Sequence, residues 1–141
     1  MTRLPADAPA LVEVRQVRKC YGSHEVLRGI DLTVYPGEVV ALLGSSGSGK
    51  TTLLRCVNLL EQPTSGRIVV DGSAIFDRAP DGRDNARISG REVAAMRSRV
   101  GMVFQQFNLF PHMNVLANVM EGPRTVLGED DATNRARALD L

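Results

Sequence analysis

Neither sign of charge prevails in this chain of 141 residues: 17 lysines and arginines stand against 16 aspartates and glutamates, a formal net charge of +1. A nucleic-acid partner calls for a one-sided basic field, so no nucleic acid is expected. Cysteine is scarce. Cys20 and Cys56 stand alone, with no CxxC or other metal-type spacing. They read as reduced thiols of a cytosolic protein, a single bridge between them being the alternative. Long apolar runs are missing as well. The longest near the centre covers residues 39–43, far short of the roughly 20 needed to span a bilayer, so the chain is not expected to cross a membrane by itself. The N-terminal "MTRLPADAPALVEV" lacks the continuous apolar stretch of a signal peptide and carries Pro5, Asp7 and Pro9. Residues 1–10 therefore read as a disordered lead-in. There is no internal repeat and no low-complexity tract. With 43% hydrophobic and 23% charged residues, what remains is a soluble globular chain, long enough for one domain with a real core.

What is present begins with alternation. Val12 and Val14 alternate with Glu13 and Arg15, and Ile30, Leu32 and Val34 alternate with Asp31 and Thr33. Both segments predict half-buried strands, paired antiparallel. "YPGE" at 35–38 is a turn by its Pro-Gly pair. Residues 39–43 are apolar at every position, the pattern of a strand covered on both faces in a parallel sheet. Leu53, Leu54, Val57 and Leu60 then recur at helical spacing, and Pro63 ends the run. "GRIVVDG" at 66–72 predicts a short strand running into a turn, and polar residues 77–92 a surface excursion. "RVGMVF" at 99–104 predicts a second buried strand. From Asn114 the pattern is helical, with Val115, Val119 and Met120 on one face. The last segment begins with acids suited to a helix N-terminus and sets Ala132, Ala136 and Leu139 on one side. It stops at Leu141 without a glycine cap, which reads as a mid-helix ending, a natural fraying terminus being the alternative.

Between the expected strand at 39–43 and the expected helix lies "GSSGSGKT", residues 44–51, which fits G-x-x-x-x-G-K-[ST] position by position. Chemistry explains the composition. Glycines let the backbone curl so that successive N–H groups point at one anion, and the following helix adds its positive end. Lys50 brings a full charge able to reach β- and γ-phosphates. The Thr51 hydroxyl suits Mg²⁺, a hard cation that prefers oxygen and accompanies phosphates. Gly44, Ser45, Ser46, Gly47, Ser48, Gly49, Lys50 and Thr51 thus form a candidate site for a nucleoside triphosphate. A GTPase would usually carry an Asn-Lys-x-Asp motif, which this chain lacks; small-molecule kinases stay open at this point.

The choice among them comes from resemblance. "KCYGSHEVLRGIDLTVYPGEVVALLGSSGSGKTTLLRCVNLLEQPTSGRIVVDG" followed by "RVGMVFQQFNLFPHMNVLANVMEGP" resembles the ATP-binding subunit of an ABC transporter. "FQQFNLFPHM" and the polar insertion before it suggest the subfamily importing polar amino acids and related solutes such as ectoine. The likeness runs from about Leu11 to the end. It implies an α/β P-loop NTPase core of the ABC type, with an N-terminal antiparallel β subdomain and the start of a helical subdomain near residue 112. Residues 11–141 would form the N-terminal portion of the ATP-binding domain, truncated. No LSGGQ-type signature, apolar-strand Asp-Glu pair or switch histidine follows Gln105. Asp71 imitates such a strand-end carboxylate, but only three apolar residues precede it and Gly72 follows it, so it reads as strand and turn.

Roles follow residue by residue. The resemblance implies that Tyr21 stacks on adenine, Val26 packs against the same base, and Thr52 contacts phosphate beside Thr51. It implies that Gln105, expected at a carboxyl strand end where open α/β sheets hold ligands, touches Mg²⁺ and the attacking water. Phe107, Leu109 and Phe110 pack under the loop or dock a partner, and His112 reads as a surface or packing histidine. ATP and Mg²⁺ are the implied ligands. Implied partners are a second copy arranged head to tail, a membrane permease subunit and, indirectly, a periplasmic or extracellular solute-binding protein. The implied place is the cytoplasmic side of the membrane, peripherally. The fragment alone is expected to bind nucleotide without turnover. A soluble ABC-type ATPase attached to no permease is the alternative.

Overall fold

β-branched residues in alternation, interrupted by glycine turns, fill the first part of the chain, and strands are what they form. The computed structural model describes residues 9–86 and 88–141, so most of the expected lead-in lies outside the described residues. β1 (Val12–Tyr21) and β2 (His24–Val34) make an antiparallel hairpin, with Val12 opposite Val34, Val14 opposite Leu32 and Tyr21 opposite His24. β3 (Ser65–Val70), β4 (Ser73–Arg78) and β5 (Asp84–Ala86) extend the other edge of β1. The sheet order is β2-β1-β3-β4-β5, antiparallel throughout. Asp71 (φ 49°) and Gly72 (φ 73°) form the tight turn between β3 and β4, the geometry an Asp-Gly pair favours. The core of this sheet includes Val14, Val17, Leu27, Ile68, Val70, Ile75 and Phe76, joined by Leu53 and Cys56 of helix α1 (Lys50–Val57).

β1 departs from simple alternation in one place. Val14 and Val17 are both buried although three residues apart, because an extra residue between them resets the parity. Gln16 carries it, at φ 48°, with its N–H donating to Asp31 Oδ1 at 2.9 Å. Opposite this bulge lies Gly66. A Cβ there would come within 2.6 Å of the Gln16 carbonyl oxygen and 2.7 Å of Val17 Cα. Only glycine fits.

The described residues of the polar excursion at 77–92 are structured. They hold the end of β4, β5, and the first turn of α2 (Gly90–Arg99). Ser89 and Glu92 cap that helix reciprocally: Ser89 N–H donates to Glu92 Oε2 at 2.7 Å, and Glu92 N–H donates to Ser89 Oγ at 3.3 Å. These bonds favour the charged carboxylate and hold the Glu92 pKa below its ordinary value.

Two expected strands are corrected. Residues 39–43 and 99–104 join no ladder among the described residues. Val39 and Leu43 are 95% and 93% exposed, and Val103 is 99% exposed. An all-apolar strand is stable only where other strands satisfy its backbone and other elements cover both its faces. Residues 39–43 have no such neighbours in this sheet. The helix expected through Leu60 also stops early, at Val57: Asn58 caps it, Leu59 (φ 51°) turns the chain, and Leu54 and Leu60 stay exposed.

The chain divides between Ala94 and Ala95 into two compact units. In the second, α3 (Val115–Leu127) and α4 (Asp131–Asp140) pack against each other. Asn114 caps α3 by accepting from Ala117 N–H at 2.8 Å, and Asp130 caps α4 by accepting from Thr133 N–H at 2.9 Å. The expected apolar faces are not the packed ones. Val115 and Val119 of α3, and Ala132, Ala136 and Leu139 of α4, are exposed, while Met120 of the expected α3 face is half-buried. The buried residue of α4 is Asn134, whose amide donates to the Met120 carbonyl of α3 at 2.8 Å. A satisfied buried amide selects the packing face more sharply than weakly apolar alanines do.

Candidate nucleotide-binding site

The loop at residues 44–49 is drawn into a ring by its own lysine. Lys50 Nζ donates to the Gly44 carbonyl at 2.8 Å, to the Ser45 carbonyl at 2.7 Å and to Ser48 Oγ at 3.3 Å. A further turn bond runs from Ser48 N–H to the Ser45 carbonyl at 3.3 Å. The ammonium thus gathers carbonyl oxygens at the mouth of the loop. Leu53 N–H to the Gly49 carbonyl, at 2.8 Å, opens the helical ladder. The N–H groups of Lys50, Thr51 and Thr52 precede it and belong to the orphan donors of a helix start, where the dipole favours an anion.

Gly49 seats this helix start on the sheet. It is left-handed (φ 91°), and a Cβ there would lie 3.0 Å from Leu27 Cδ2 and 3.2 Å from both Val26 Cγ1 and the Val26 carbonyl oxygen. Glycine at this position therefore serves both the turn and the close approach to β2. Val26 is half-buried, Thr51 is exposed and Thr52 half-buried at the head of α1. Tyr21 ends β1 and is 47% exposed. Three separate stretches, around Tyr21, Val26 and Gly49, are thus organised by the β1–β2 hairpin and α1. Gln105 is exposed in a bend of the second unit, and the strand expected to present it does not form. Its placement at a strand end is corrected accordingly. Gln106 is exposed too, as is Phe107, at 90%. His112 sits edge-on to Phe110, ring centroids 5.9 Å apart, as a packing histidine would.

Sequence reasoning missed what lies around Tyr21. Lys19 Nζ sits 4.7 Å from the centroid of the Tyr21 ring. It also pairs with Glu61 Oε1 at 2.5 Å and donates to the Gln62 carbonyl at 2.8 Å. The hydrogen bond from Lys19 holds the Glu61 carboxyl below its usual range. The available signal was the spacing, since residues i and i+2 of a strand share a face. Nothing in the sequence pointed to Glu61, 42 positions away.

Among the described residues no three His, Cys, Asp or Glu side chains cluster as a metal site, and no helix is long and apolar enough to cross a membrane. The oxygen donors of the loop suit a cation that arrives with phosphates.

Comparison with known proteins identifies the family. Residues 27–140 match the family described as ABC transporter. The chain is 50% identical over 131 residues to the arginine transport ATP-binding protein ArgV of Corynebacterium glutamicum, covering 93% of this chain and 51% of that protein. It is 50% identical over 133 residues to the L-cystine transport system ATP-binding protein TcyN of Escherichia coli, covering 91% and 50%. The chain therefore spans about half the length of the curated relatives it matches. Among solved structures, a dimeric post-hydrolysis state of the ATP-binding cassette MJ0796 bound to ADP and Pi superposes with a TM-score of 0.76 at 31% identity, covering 92% of this chain and 54% of that one. The fold is that of part of an ABC ATPase cassette, and the chain belongs to the ABC transporter family.

Proposed function

We propose that this chain is the nucleotide-gripping portion of an ATP-binding subunit that energises import of polar amino acids or related solutes through an ABC transporter. The observation that carries the proposal is the ring closed by Lys50, which donates to the Gly44 and Ser45 carbonyls from the first residue of α1. A triphosphate entering the loop would meet the N–H groups of residues 45–52 and the helix dipole, with Lys50 Nζ turned from carbonyl oxygens to β- and γ-phosphate oxygens. Thr52 would add a hydroxyl. Tyr21 would stack on the adenine and Val26 would pack against it. Thr51 would offer a hydroxyl oxygen, which fits Mg²⁺ held by one or two side chains plus phosphates. Bound with the nucleotide, the ion would supply positive charge to the phosphates.

In the whole subunit, two copies arranged head to tail would enclose the nucleotide, and hydrolysis would drive a membrane permease fed by a solute-binding protein. The subunit would sit peripherally on the cytoplasmic face of the membrane. Relatives at equal identity are named for arginine and for L-cystine, which favours transport over an unattached soluble ATPase. It also fits a cassette that leaves solute choice to other subunits. The test is Lys50→Ala with titration calorimetry. A neutral methyl leaves phosphate charge uncompensated, so ATP affinity is expected to fall at least tenfold, about 1.4 kcal/mol or more. Turnover in the whole subunit is expected to vanish. Unchanged affinity and turnover would overturn the proposal.

A further inference from the structure

The exposed ring of Tyr21 is held from behind. Lys19, two residues earlier on β1, has a side chain only 12% exposed, and its ammonium is fixed at three points. Glu61 supplies the opposite charge, the Gln62 carbonyl accepts at 2.8 Å, and the Tyr21 ring lies 4.7 Å from Nζ. The segment that supplies Glu61 and Gln62 is itself tied to the end of α1, since Glu61 N–H donates to the Arg55 carbonyl at 3.1 Å. The end of β1 is laced to the same segment. Thr64 N–H donates to the Arg18 carbonyl at 2.8 Å, and Cys20 N–H donates to Thr64 Oγ1 at 3.0 Å. One continuous chain of contacts therefore runs from the phosphate loop along α1, through Glu61 and Gln62, to Lys19 and the ring of Tyr21. A cation over one ring face leaves the other face to a ligand.

We propose that Lys19 is a positioning residue for nucleotide: clamped between Glu61, the Gln62 carbonyl and the Tyr21 ring, it fixes the ring's orientation relative to the helix that grips the phosphates. This rests on the reading of Tyr21 as the adenine platform. A base and its phosphates belong to one covalently joined ligand of limited span, so affinity depends on how often both grips stand within its reach. If Lys19 holds the ring in its competent orientation and a variant leaves it there about a tenth of the time, apparent affinity falls about tenfold.

The experiment measures binding of Mg²⁺-ATP and of inorganic tripolyphosphate, which has no base, to the full chain and four variants. Lys19→Met keeps the stem and removes the charge; it is expected to weaken ATP about tenfold and leave tripolyphosphate unchanged. Lys19→Arg is expected to recover most of the loss. Tyr21→Ala is expected to weaken ATP alone, and adding Lys19→Met to it should have no further effect. A merely structural lysine would lower both ligands together, and that outcome overturns the inference. So does unchanged ATP affinity in Lys19→Met while Tyr21→Ala still loses it. If Tyr21→Ala itself leaves ATP affinity unchanged, the adenine-platform reading fails, and the inference with it.

Discussion

Cys56 faces inward from α1 with no exposed surface, and burial pushes its thiol from about 9.0 up to about 11; nearby Lys19 opposes that rise and Glu61 adds to it. The raised value means that the folded state keeps its proton where the unfolded chain loses it. The associated stability is fully present below about pH 9 and is lost as pH rises through about 11. Other groups titrate in that window, so the clean observable is a difference. The stability advantage of the parent chain over Cys56→Ala, from urea unfolding, is expected to shrink between pH 9 and 11. Thiol access gives a second reading of the same site. Cys20 is only half-buried, and iodoacetamide at pH 8 is expected to label it well before Cys56, because the thiolate is the reacting form. Equal labelling rates would show that α1 does not enclose Cys56.

Elements here are held by close approaches that tolerate few substitutions. The β1 bulge and Gly66 are such a pair. Gly66→Ala would drive a Cβ to 2.6 Å from a backbone oxygen at φ 106°, and backbone cannot yield as a flexible side chain does. The expected cost is about 2–4 kcal/mol from overpacking plus left-handed strain, read as a lowered urea midpoint. An unchanged midpoint would mean that the bulge is not seated there. Helix starts depend on carboxylates. Glu92 at α2 is held below its ordinary pKa by Ser89, and Asp130 at α4 by Thr133. A depressed carboxylate contributes stability above its unfolded pKa and loses it as pH falls through the folded one. Acid is therefore expected to fray both helices below about pH 4, and Glu92→Gln to remove part of that dependence, by helical circular dichroism.

Across the whole chain, apolar surface is distributed unlike that of an ordinary monomer. Val39, Leu43, Val103 and Phe107 are each at least 90% exposed, and the first two and Val103 lie in segments whose residue types suit buried strands. Surface of this kind seeks a partner. The 141-residue chain is expected to associate at micromolar concentration, eluting ahead of its 15.3 kDa monomer position. Replacing Val39 and Val103 by threonine should reduce that association. The same chain is expected to show no ATP turnover above background. The proposed phosphate grip lies within it, but among these 141 residues no apolar-strand Asp-Glu pair follows Gln105 to complete a hydrolytic site. Steady phosphate release from a monodisperse sample, abolished by Lys50→Ala, would contradict this.

The local chemistry was legible in residue order. The glycine-rich loop, the Asp-Gly hairpin turn and the β1–β2 alternation depend on backbone conformations and side-chain types set within a few positions, and the family followed from "GSSGSGKT" and "FQQFNLFPHM". Other features were not legible, because they depend on what arrives from far along the chain. Residues 39–43 have the composition of a buried strand, yet strands exist only with neighbours, and composition carries no record of whether a neighbour is present. The bulge at Gln16 looks like unbroken strand until Gly66 is set against it. Lys19 is one more strand lysine until Glu61 meets it. The sequence by itself determined which groups are proposed to hold a nucleotide, since the loop motif is a property of residues close in the chain. Only the tertiary structure decided which apolar segments were covered and which cation stood behind Tyr21, since burial and ion pairing are properties of atoms close in space.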